Sequence, residues 1–281
     1  MIEVRNLVKK YGNHLAVDHL NFTVQQGQIY GFLGPNGAGK STTMNIMTGY
    51  LGATAGEVLI NGHDILKEPE MAKRSIGYLP EIPPLYMDMT VMEYLWFSAE
   101  LKKIKKDEIE SAVEEVVSLV QLEEVQNRLI KNLSKGYKQR VGLAQAVLGF
   151  PEIIILDEPT VGLDPKQIIE IRELIRELAK KHTVILSSHI LAEVSEVCDH
   201  IMIISHGKLV ASDTPENLEK LMSGTETVII EAEVEASRAE EIIQAFANAN
   251  CPLLSIKRKK ASLEEVFLEL TGGEAEDDSD L

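Results

Sequence analysis

The stretch "QIYGFLGPNGAGKSTTMNIM", residues 28–47, joins a short apolar run to a glycine-rich turn and a helix-forming segment. Residues 28–34 are apolar enough for a buried strand, and the segment that begins at Lys40 predicts a helix. Between them "GPNGAGKS", residues 34–41, fits the pattern G-x-x-x-x-G-K-[ST] in the strand–turn–helix context that this pattern requires. The sequence therefore predicts a phosphate-binding loop on an α/β fold.

Each residue type in this loop has a physical role in phosphate binding. Glycines let successive backbone N–H groups curl around a phosphate without a Cβ clash. Lys40 can reach the β- and γ-phosphates, and the Ser41 hydroxyl can bind Mg²⁺. The alternative is a glycine-rich turn without a ligand, which the strand–helix context disfavours. The predicted nucleotide-binding residues of the loop are Gly34, Pro35, Asn36, Gly37, Ala38, Gly39, Lys40, Ser41 and Thr42.

A second motif, "IIILDEP" at residues 153–159, places two carboxylates after a run of four apolar residues. A strand buried on both faces that ends in a carboxylate suits a Walker B role, with Asp157 holding Mg²⁺. Glu158, one residue further on, could polarise a water for in-line attack on the γ-phosphate. The alternative is a helix N-cap pair, which is common for adjacent acids. The buried strand before the pair and Pro159 after it favour the Walker B interpretation.

Composition limits the class of protein. The chain has 281 residues and a net charge of −16, so it lacks the basic balance of a nucleic-acid-binding protein. Cys198 and Cys251 have no metal spacing, and we expect reduced thiols in a cytosolic protein. No apolar run approaches the roughly 18 residues that span a bilayer, so any membrane part would come from another subunit.

The rest of the chain alternates between strand and helix patterns, which implies a parallel sheet. Within the helical stretch at about 85–150, the segment "DEIESAVEEVVSLVQL" opens with Asp107 and Glu110 at capping-box spacing. Asp164 and Pro165 predict the start of a later helix. The predicted strands are 2–8, 20–24, 28–34, 56–65 with a turn at Asn61-Gly62, 75–81, 152–156 and 183–188, followed by a hairpin at 201–211.

The stretch "LSKGYKQR", residues 133–140, is basic within an acidic chain. Ser134 is a plausible N-cap, and a helix N-terminus carries partial positive charge and free N–H groups. Lys135, Lys138 and Arg140 make this end more electropositive still. The stretch is therefore predicted to contact an anion.

Together these motifs resemble the ATP-binding subunit of an ABC transporter over residues 2–222. The ordered matches are Tyr11 in the adenine-stacking position, Gly34 to Ser41 as Walker A, Glu81 in the Q-loop position, "LSKGYKQR" as the family signature, Asp157 and Glu158 as Walker B and catalytic glutamate, "GLDP" at 162–165 as the D-loop, and His189 as the switch histidine. The resemblance implies a P-loop NTPase core at 1–222, with an antiparallel β subdomain and an inserted helical subdomain. Residues 223–273 are expected to form a small α+β domain, and residues 274–281 an acidic, disordered tail.

The resemblance also implies the roles of single residues, with ATP and Mg²⁺ as cofactors. The implied catalytic residues are Glu158, His189, Lys40 and Glu81. The implied metal ligands are Ser41, Asp157 and Glu81. Beyond the loop, the implied nucleotide contacts are Tyr11, Ser134, Gly136 and Asp164. A lone tyrosine or histidine is more often a packing residue, so for Tyr11 and His189 the family frame decides.

Two positions depart from the usual family pattern. Glu81 stands where glutamine is usual and adds negative charge beside a triphosphate. Lys135 and Tyr137 alter the signature around Gly136. With "YLPE" and the C-terminal "SLEEVFLELTG", the chain looks like the branch that pairs with separate six-helix export permeases in drug efflux, gliding motility and antibiotic immunity.

The resemblance implies a head-to-tail pair of protomers, most simply a homodimer, in which each signature faces the partner's nucleotide. The anion that residues 134–140 meet is then the partner's γ-phosphate. We expect a cytoplasmic subunit at the inner face of the cell membrane, which contacts the membrane only through a permease. The expected permease contact lies around residues 84–97, although the aromatic residues and methionines there could be ordinary core.

The sequence is less consistent with two other functions. A soluble ABC ATPase of translation or DNA repair would carry tandem cassettes or long coiled-coil insertions and a basic surface, and this sequence has none of these. A non-catalytic nucleotide sensor would not need Glu158 and His189. The sequence therefore favours a transport ATPase that closes on ATP and reopens after hydrolysis.

Overall fold

A computed structural model of the chain describes residues 1–222, together with residues 244 and 248. The chain divides into two units, Met1–Leu221 and Met222–Leu281. The predicted α+β domain at 223–273 and the predicted tail at 274–281 therefore lie outside the described residues, apart from residues 244 and 248. The first unit carries all the motifs named above.

A four-stranded antiparallel sheet contains the N-terminus, in the order β2-β1-β4-β5. Its strands are β1 (Ile2–Tyr11), β2 (His14–Val24), β4 (Ala55–Ile60) and β5 (His63–Asp64). The first hairpin closes where Tyr11 pairs with His14, which leaves the aromatic ring beside the turn. The predicted strand positions are correct, but β1 and β2 are longer than expected because they continue to this turn.

A six-stranded sheet forms the centre of the unit, in the order β10-β9-β3-β8-β7-β6. Its strands are β3 (Ile29–Leu33), β6 (Ile76–Leu79), β7 (Ile153–Asp157), β8 (Thr183–Ser188), β9 (His200–Ser205) and β10 (Lys208–Asp213). All neighbours are parallel except β10 and β9, the predicted hairpin. Because parallel strands end at one edge, the loops after β3, β6, β7 and β8 meet there.

Strand β7 shows why the central sheet is stable. Ile154 and Leu156 pack into a core with the helices, and Ile153 and Ile155 pack into a second core against the antiparallel sheet. Every residue of β7 is buried. A strand covered on both faces reads as a continuous apolar run, as the sequence indicated.

Eight α-helices complete the described part of the chain. They are α1 (Lys40–Met47), α2 (Pro69–Arg74), α3 (Val91–Leu101), α4 (Lys106–Leu119), α5 (Lys135–Val147), α6 (Pro165–Ala179), α7 (Leu191–Val197) and α8 (Pro215–Met222). Helices α3 to α5 occupy the stretch predicted as helical. In the described part no helix is both long enough and apolar enough to cross a membrane.

The predicted start of α4 was wrong. The helix begins at Lys106 after Lys105, so Asp107 lies in the first turn and does not cap it. A carboxylate in the first turn still interacts favourably with the helix dipole, which explains the acidic start without a capping box. The apolar residues Ile109, Val113, Val116 and Val117 of the helix and its C-cap Val120 are buried, so the helix packs one face into the core.

Candidate functional site

The phosphate-binding loop lies between β3 and α1, as the sequence predicted. Gly37 and Gly39 have positive φ angles of 79° and 105°, which side-chain-bearing residues rarely adopt. A Cβ on Gly39 would lie 2.5 Å from the carbonyl oxygen of Ala16. Gly39 is the N-cap of α1, and no side chain caps this helix. The first N–H groups of α1, from Lys40 to Thr42, therefore remain available to an anion, which fits a phosphate.

Lys40 is buried and its ammonium folds over the loop. Its Nζ donates to the carbonyl oxygens of Gly34 at 2.6 Å and Pro35 at 3.3 Å. The same Nζ lies 3.6 Å from Oε1 of Glu158, so the loop and the segment after β7 are linked by charge. Asn36 and Ala38 belong to the same loop, and the N–H of Ala38 donates to Pro35.

Two hydroxyls converge on one oxygen of Asp157. Ser41 Oγ donates to Asp157 Oδ1 at 3.1 Å, and Ser187 Oγ donates to the same atom at 2.5 Å. These are hard oxygen donors, the type that Mg²⁺ prefers. Residues 1–222 contain no group of three or more acidic, histidine or cysteine side chains that could hold a metal. The pair Ser41 and Asp157 fits a Mg²⁺ that takes its other ligands from phosphate and water.

Glu158 is held in an unusual backbone conformation. Its φ is +48°, a left-handed value that costs about 1–3 kcal/mol for a non-glycine residue and is common at functional sites. Its N–H donates to Ser187 Oγ at 2.9 Å, and its Oε2 lies 3.0 Å from Nδ1 of His189. The carboxylate thus lies between the ammonium of Lys40 and the ring of His189.

Ser187 was not predicted, although it lies two residues before His189. Its hydroxyl accepts from the Glu158 backbone and donates to the Asp157 carboxylate, so it fixes both acids. In the sequence, Ser187 could have been recognised as a polar residue at the end of the apolar strand β8.

Near this site, burial raises the pKa of the Tyr78 phenol, with the Asp157 charge as a smaller cause. Tyr78 therefore stays protonated and donates to Asn45.

Tyr11 lies at the end of β1 with 49% of its surface exposed, and Lys9 Nζ lies 5.2 Å from its ring centroid. Its hairpin contacts the phosphate-binding loop through Ala16, whose carbonyl faces Gly39. An exposed ring near the loop suits stacking on a base.

Glu81 follows β6 at the same sheet edge as Asp157, but within residues 1–220 its exposed carboxylate makes no hydrogen bond or ion pair.

A second group of predicted residues lies at the start of α5 and α6. Ser134 caps α5 and accepts from the N–H of Tyr137 at 3.4 Å. Asp164 caps α6 and accepts from the N–H of Gln167 at 2.9 Å. Gly136 is buried, and a Cβ there would lie 2.6–2.8 Å from the Gln167 amide. Across residues 1–220, no hydrogen bond or ion pair joins Ser134 or Gly136 to Lys40 or Glu158.

The three basic residues of this stretch do not act alike. Arg140 is buried and donates to Val120 at 2.9 Å and to Glu170 at 2.5 Å, so its charge is neutralised. The expectation that Arg140 adds to an exposed positive end was therefore wrong. Lys135 is exposed and extends over Gly162, where an added Cβ would lie 1.9 Å from its Nζ. A cavity of about 440 Å³ lies beside this end, between α5 and α6.

The chain matches known proteins over most of the unit that carries these residues. The family model described as ABC transporter matches residues 17–161. The bacitracin transport ATP-binding protein BcrA of Bacillus licheniformis is 43% identical over 78% of this chain and 72% of that protein. The Nod factor export ATP-binding protein I of Cupriavidus metallidurans is 31% identical over 99% of both chains.

The fold also matches solved structures. The dimeric post-hydrolysis state of the ATP-binding cassette MJ0796, bound to ADP and phosphate, aligns with a TM-score of 0.69. It is 26% identical, and the match covers 76% of this chain and 99% of that one. The likeness therefore extends over about three quarters of this chain and nearly all of the other.

Proposed function

Since this chain belongs to the ABC transporter family as an ATP-binding subunit, we propose that it hydrolyses ATP and thereby drives export through a separate permease. The observation that carries the proposal is the position of Glu158, whose carboxylate lies 3.6 Å from Lys40 and 3.0 Å from His189. One acceptor between two cationic or hydrogen-bonding groups suits a residue that orients a water beside a phosphate.

In the proposed reaction, different residues of the chain bind the phosphates, the adenine and the metal. Lys40 and the free N–H groups of α1 hold the β- and γ-phosphates, and Tyr11 stacks on the adenine. Ser41 and Asp157 would hold Mg²⁺. When bound, Mg²⁺ supplies positive charge against the β- and γ-phosphate oxygens.

Glu158 accepts a proton as the water oxygen bonds to the γ-phosphorus. The bond from that phosphorus to the bridging oxygen breaks, its electron pair stays on ADP, and phosphate is released. His189, held against Glu158, keeps the carboxylate turned toward the γ-phosphate. Glu81, exposed at the same edge, contributes to the metal and water shell.

The second group of residues completes the site of another copy. ABC ATP-binding homologues form dimers, and the MJ0796 cassette was solved as one. In a head-to-tail homodimer, Ser134, Gly136 and the N–H groups of α5 face the γ-phosphate held by the partner chain. Asp164 supports this arrangement because it caps α6 and so fixes the end of the D-loop.

The permease would bind beside the Q-loop position. Ile82, Tyr86, Met87 and Trp96 are exposed there, while Val91, Tyr94 and Leu95 of the same stretch belong to the core. The stretch at 84–97 therefore supplies both an apolar surface and its support, and an exposed apolar patch suits a protein partner. We propose that the chain lies in the cytoplasm at the membrane and touches it only through this partner.

The alternative, a soluble ABC ATPase without a transport role, is not favoured. The two relatives named above are ATP-binding proteins of bacitracin transport and Nod factor export. A nucleotide sensor is also disfavoured, because the Glu158–His189 pair is assembled.

The test is the substitution Glu158→Gln, which keeps the shape and removes the charge. ATP should still bind, hydrolysis should fall by at least ~100-fold, and an ATP-bound dimer should accumulate. Glu152→Gln is a matched control at the opposite end of β7, where Glu152 accepts from Asn61 at 3.0 Å. The control should keep the wild-type rate. Near-normal turnover in Glu158→Gln would overturn the proposal.

A further inference from the structure

A buried carboxylate lies behind the Glu158–His189 pair. Glu193, in α7, is only 7% exposed. Its Oε2 accepts from Thr160 Oγ1 at 2.9 Å and from Ser188 Oγ at 2.8 Å. Thr160 is two residues after Glu158, and Ser188 directly precedes His189. One carboxylate oxygen therefore joins the two segments that carry the predicted catalytic residues.

The Ser188 hydroxyl extends this link around His189. While it donates to Glu193, it accepts from the N–H of Ile190 at 3.0 Å. The turn at 188–190 is thus closed on both sides of the histidine. The position of the imidazole depends on a hydroxyl that Glu193 orients.

Helix α7 gives Glu193 a fixed base. Val194, the next residue, packs so closely on β3 that a Cβ on Gly31 would lie 2.1 Å from its Cγ1. Strand β3 also leads into the phosphate-binding loop. The carboxylate is therefore held relative to the sheet from which the whole site projects.

Burial of a carboxylate is costly unless it is hydrogen-bonded. Both hydrogen bonds go to segments of the site, and among residues 1–220 no cation pairs with Glu193, although Glu196 on the same helix pairs with Arg172 and Arg176 at the surface. The two hydrogen bonds that satisfy the buried carboxylate therefore also tie together the segments that carry Glu158 and His189. We propose that Glu193 is a positioning residue, which holds Glu158 and His189 against each other through Thr160 and Ser188.

This inference rests on the proposed ATPase function and deepens it. Across residues 1–220, Glu193 makes no hydrogen bond or ion pair to the phosphate-binding loop or to Tyr11, so its loss should leave ATP binding intact. It should let the 3.0 Å contact between Glu158 and His189 open. A misplacement of about 1 Å can cost on the order of 100-fold in rate. The effect should therefore appear in kcat and not in KM.

The experiment measures ATP hydrolysis by the full-length chain. Glu193→Ala should lower kcat by roughly 10- to 100-fold and change KM by less than about 3-fold. Glu193→Gln keeps an acceptor oxygen and should recover most of the rate. Glu196→Ala, on the same helix, should match wild type. If Glu193→Ala does not fold, Thr160→Val removes one hydrogen bond to Glu193, and Ser188→Ala removes the other together with the bond from Ile190, so each should lower kcat.

A double variant separates positioning from a merely structural role. In a Glu158→Gln background, Glu193→Ala should lower the residual rate by less than about 3-fold, because its effect passes through Glu158. The inference would be overturned if Glu193→Ala lowered the rate as much in the Glu158→Gln background as in wild type. It would also be overturned if Glu193→Ala alone kept the wild-type kcat, with or without a raised KM. If Glu158→Gln itself keeps the wild-type rate, the proposed function fails and the inference falls with it. If Glu158→Gln is inactive and Glu193→Ala is not impaired, only the inference fails.

Discussion

The two groups of predicted site residues differ in how complete they are within one chain. Lys40, Asp157 and Glu158 are each buried and connected by hydrogen bonds or charge to one another or to Ser187. Ser134 and Lys135 are exposed at the start of α5, and across residues 1–220 Lys135 has no carboxylate partner. One region is assembled, and the other presents unmatched positive charge.

This difference indicates what the second region is for. A cation at a helix N-terminus is unfavourable because it meets the positive end of the dipole. This unfavourable interaction is offset when an anion from outside the chain binds there. A triphosphate bound to a second copy of the chain would be such an anion. The contrast between the two regions therefore supports a site shared between two chains.

The largest effect should come from a negative charge in the unfinished region. Gly136→Asp would put a carboxylate about 4 Å from the partner's γ-phosphate, a repulsion of ~4 kcal/mol at an effective dielectric of ~20. ATP-dependent dimerisation, measured by analytical ultracentrifugation, should be lost.

Gly136→Asn is the matched control for this charge. Both substitutions displace the Gln167 amide, which lies 2.6–2.8 Å from the Cβ position, but only Asp is charged. Gly136→Asn should dimerise far better than Gly136→Asp. Equal loss of dimerisation in the two variants would mean that the size of the side chain causes the effect. The electrostatic part of the comparison would then be wrong.

A smaller effect is expected at the assembled region's outer edge. Tyr11→Ala should weaken ATP binding by ~1–3 kcal/mol, as expected for the loss of one aromatic stacking platform, while Tyr11→Phe should be nearly neutral. Isothermal titration of each variant with ATP gives the comparison. If Ala and Phe behave alike, Tyr11 is only a packing residue of the first hairpin.

Much of the assembled region follows from local sequence. The loop at 34–41 and the two acids at the end of β7 depend on neighbouring residue types, as does the Asp164 cap in the second region, and the sequence predicts each of them. The contacts of Glu193 do not follow in this way, because Thr160 is 33 residues away from it. The pairing of Arg140 with Glu170 could not be predicted for the same reason, since the two residues are 30 positions apart.

Short elements were the other limit of sequence-based prediction. Helices α2 and α7 have 6 and 7 residues, too few for a helical period to stand out from its surroundings. The sequence predicts no helix at Leu191–Val197, so it gives no place in the fold to Glu193. Tertiary packing on Gly31 decides its position, and sequence periodicity does not contain that information.

The most direct test of a site shared between chains uses two inactive variants, Lys40→Ala and Gly136→Asp, assayed for ATP binding and hydrolysis before and after mixing. In a mixed dimer the intact Walker A of the Gly136→Asp chain faces the intact signature of the Lys40→Ala chain. The predicted result is that the isolated Gly136→Asp chain binds ATP as wild type does and that hydrolysis appears on mixing. The contradicting result is a silent mixture in which the isolated Gly136→Asp chain has lost ATP binding as fully as Lys40→Ala.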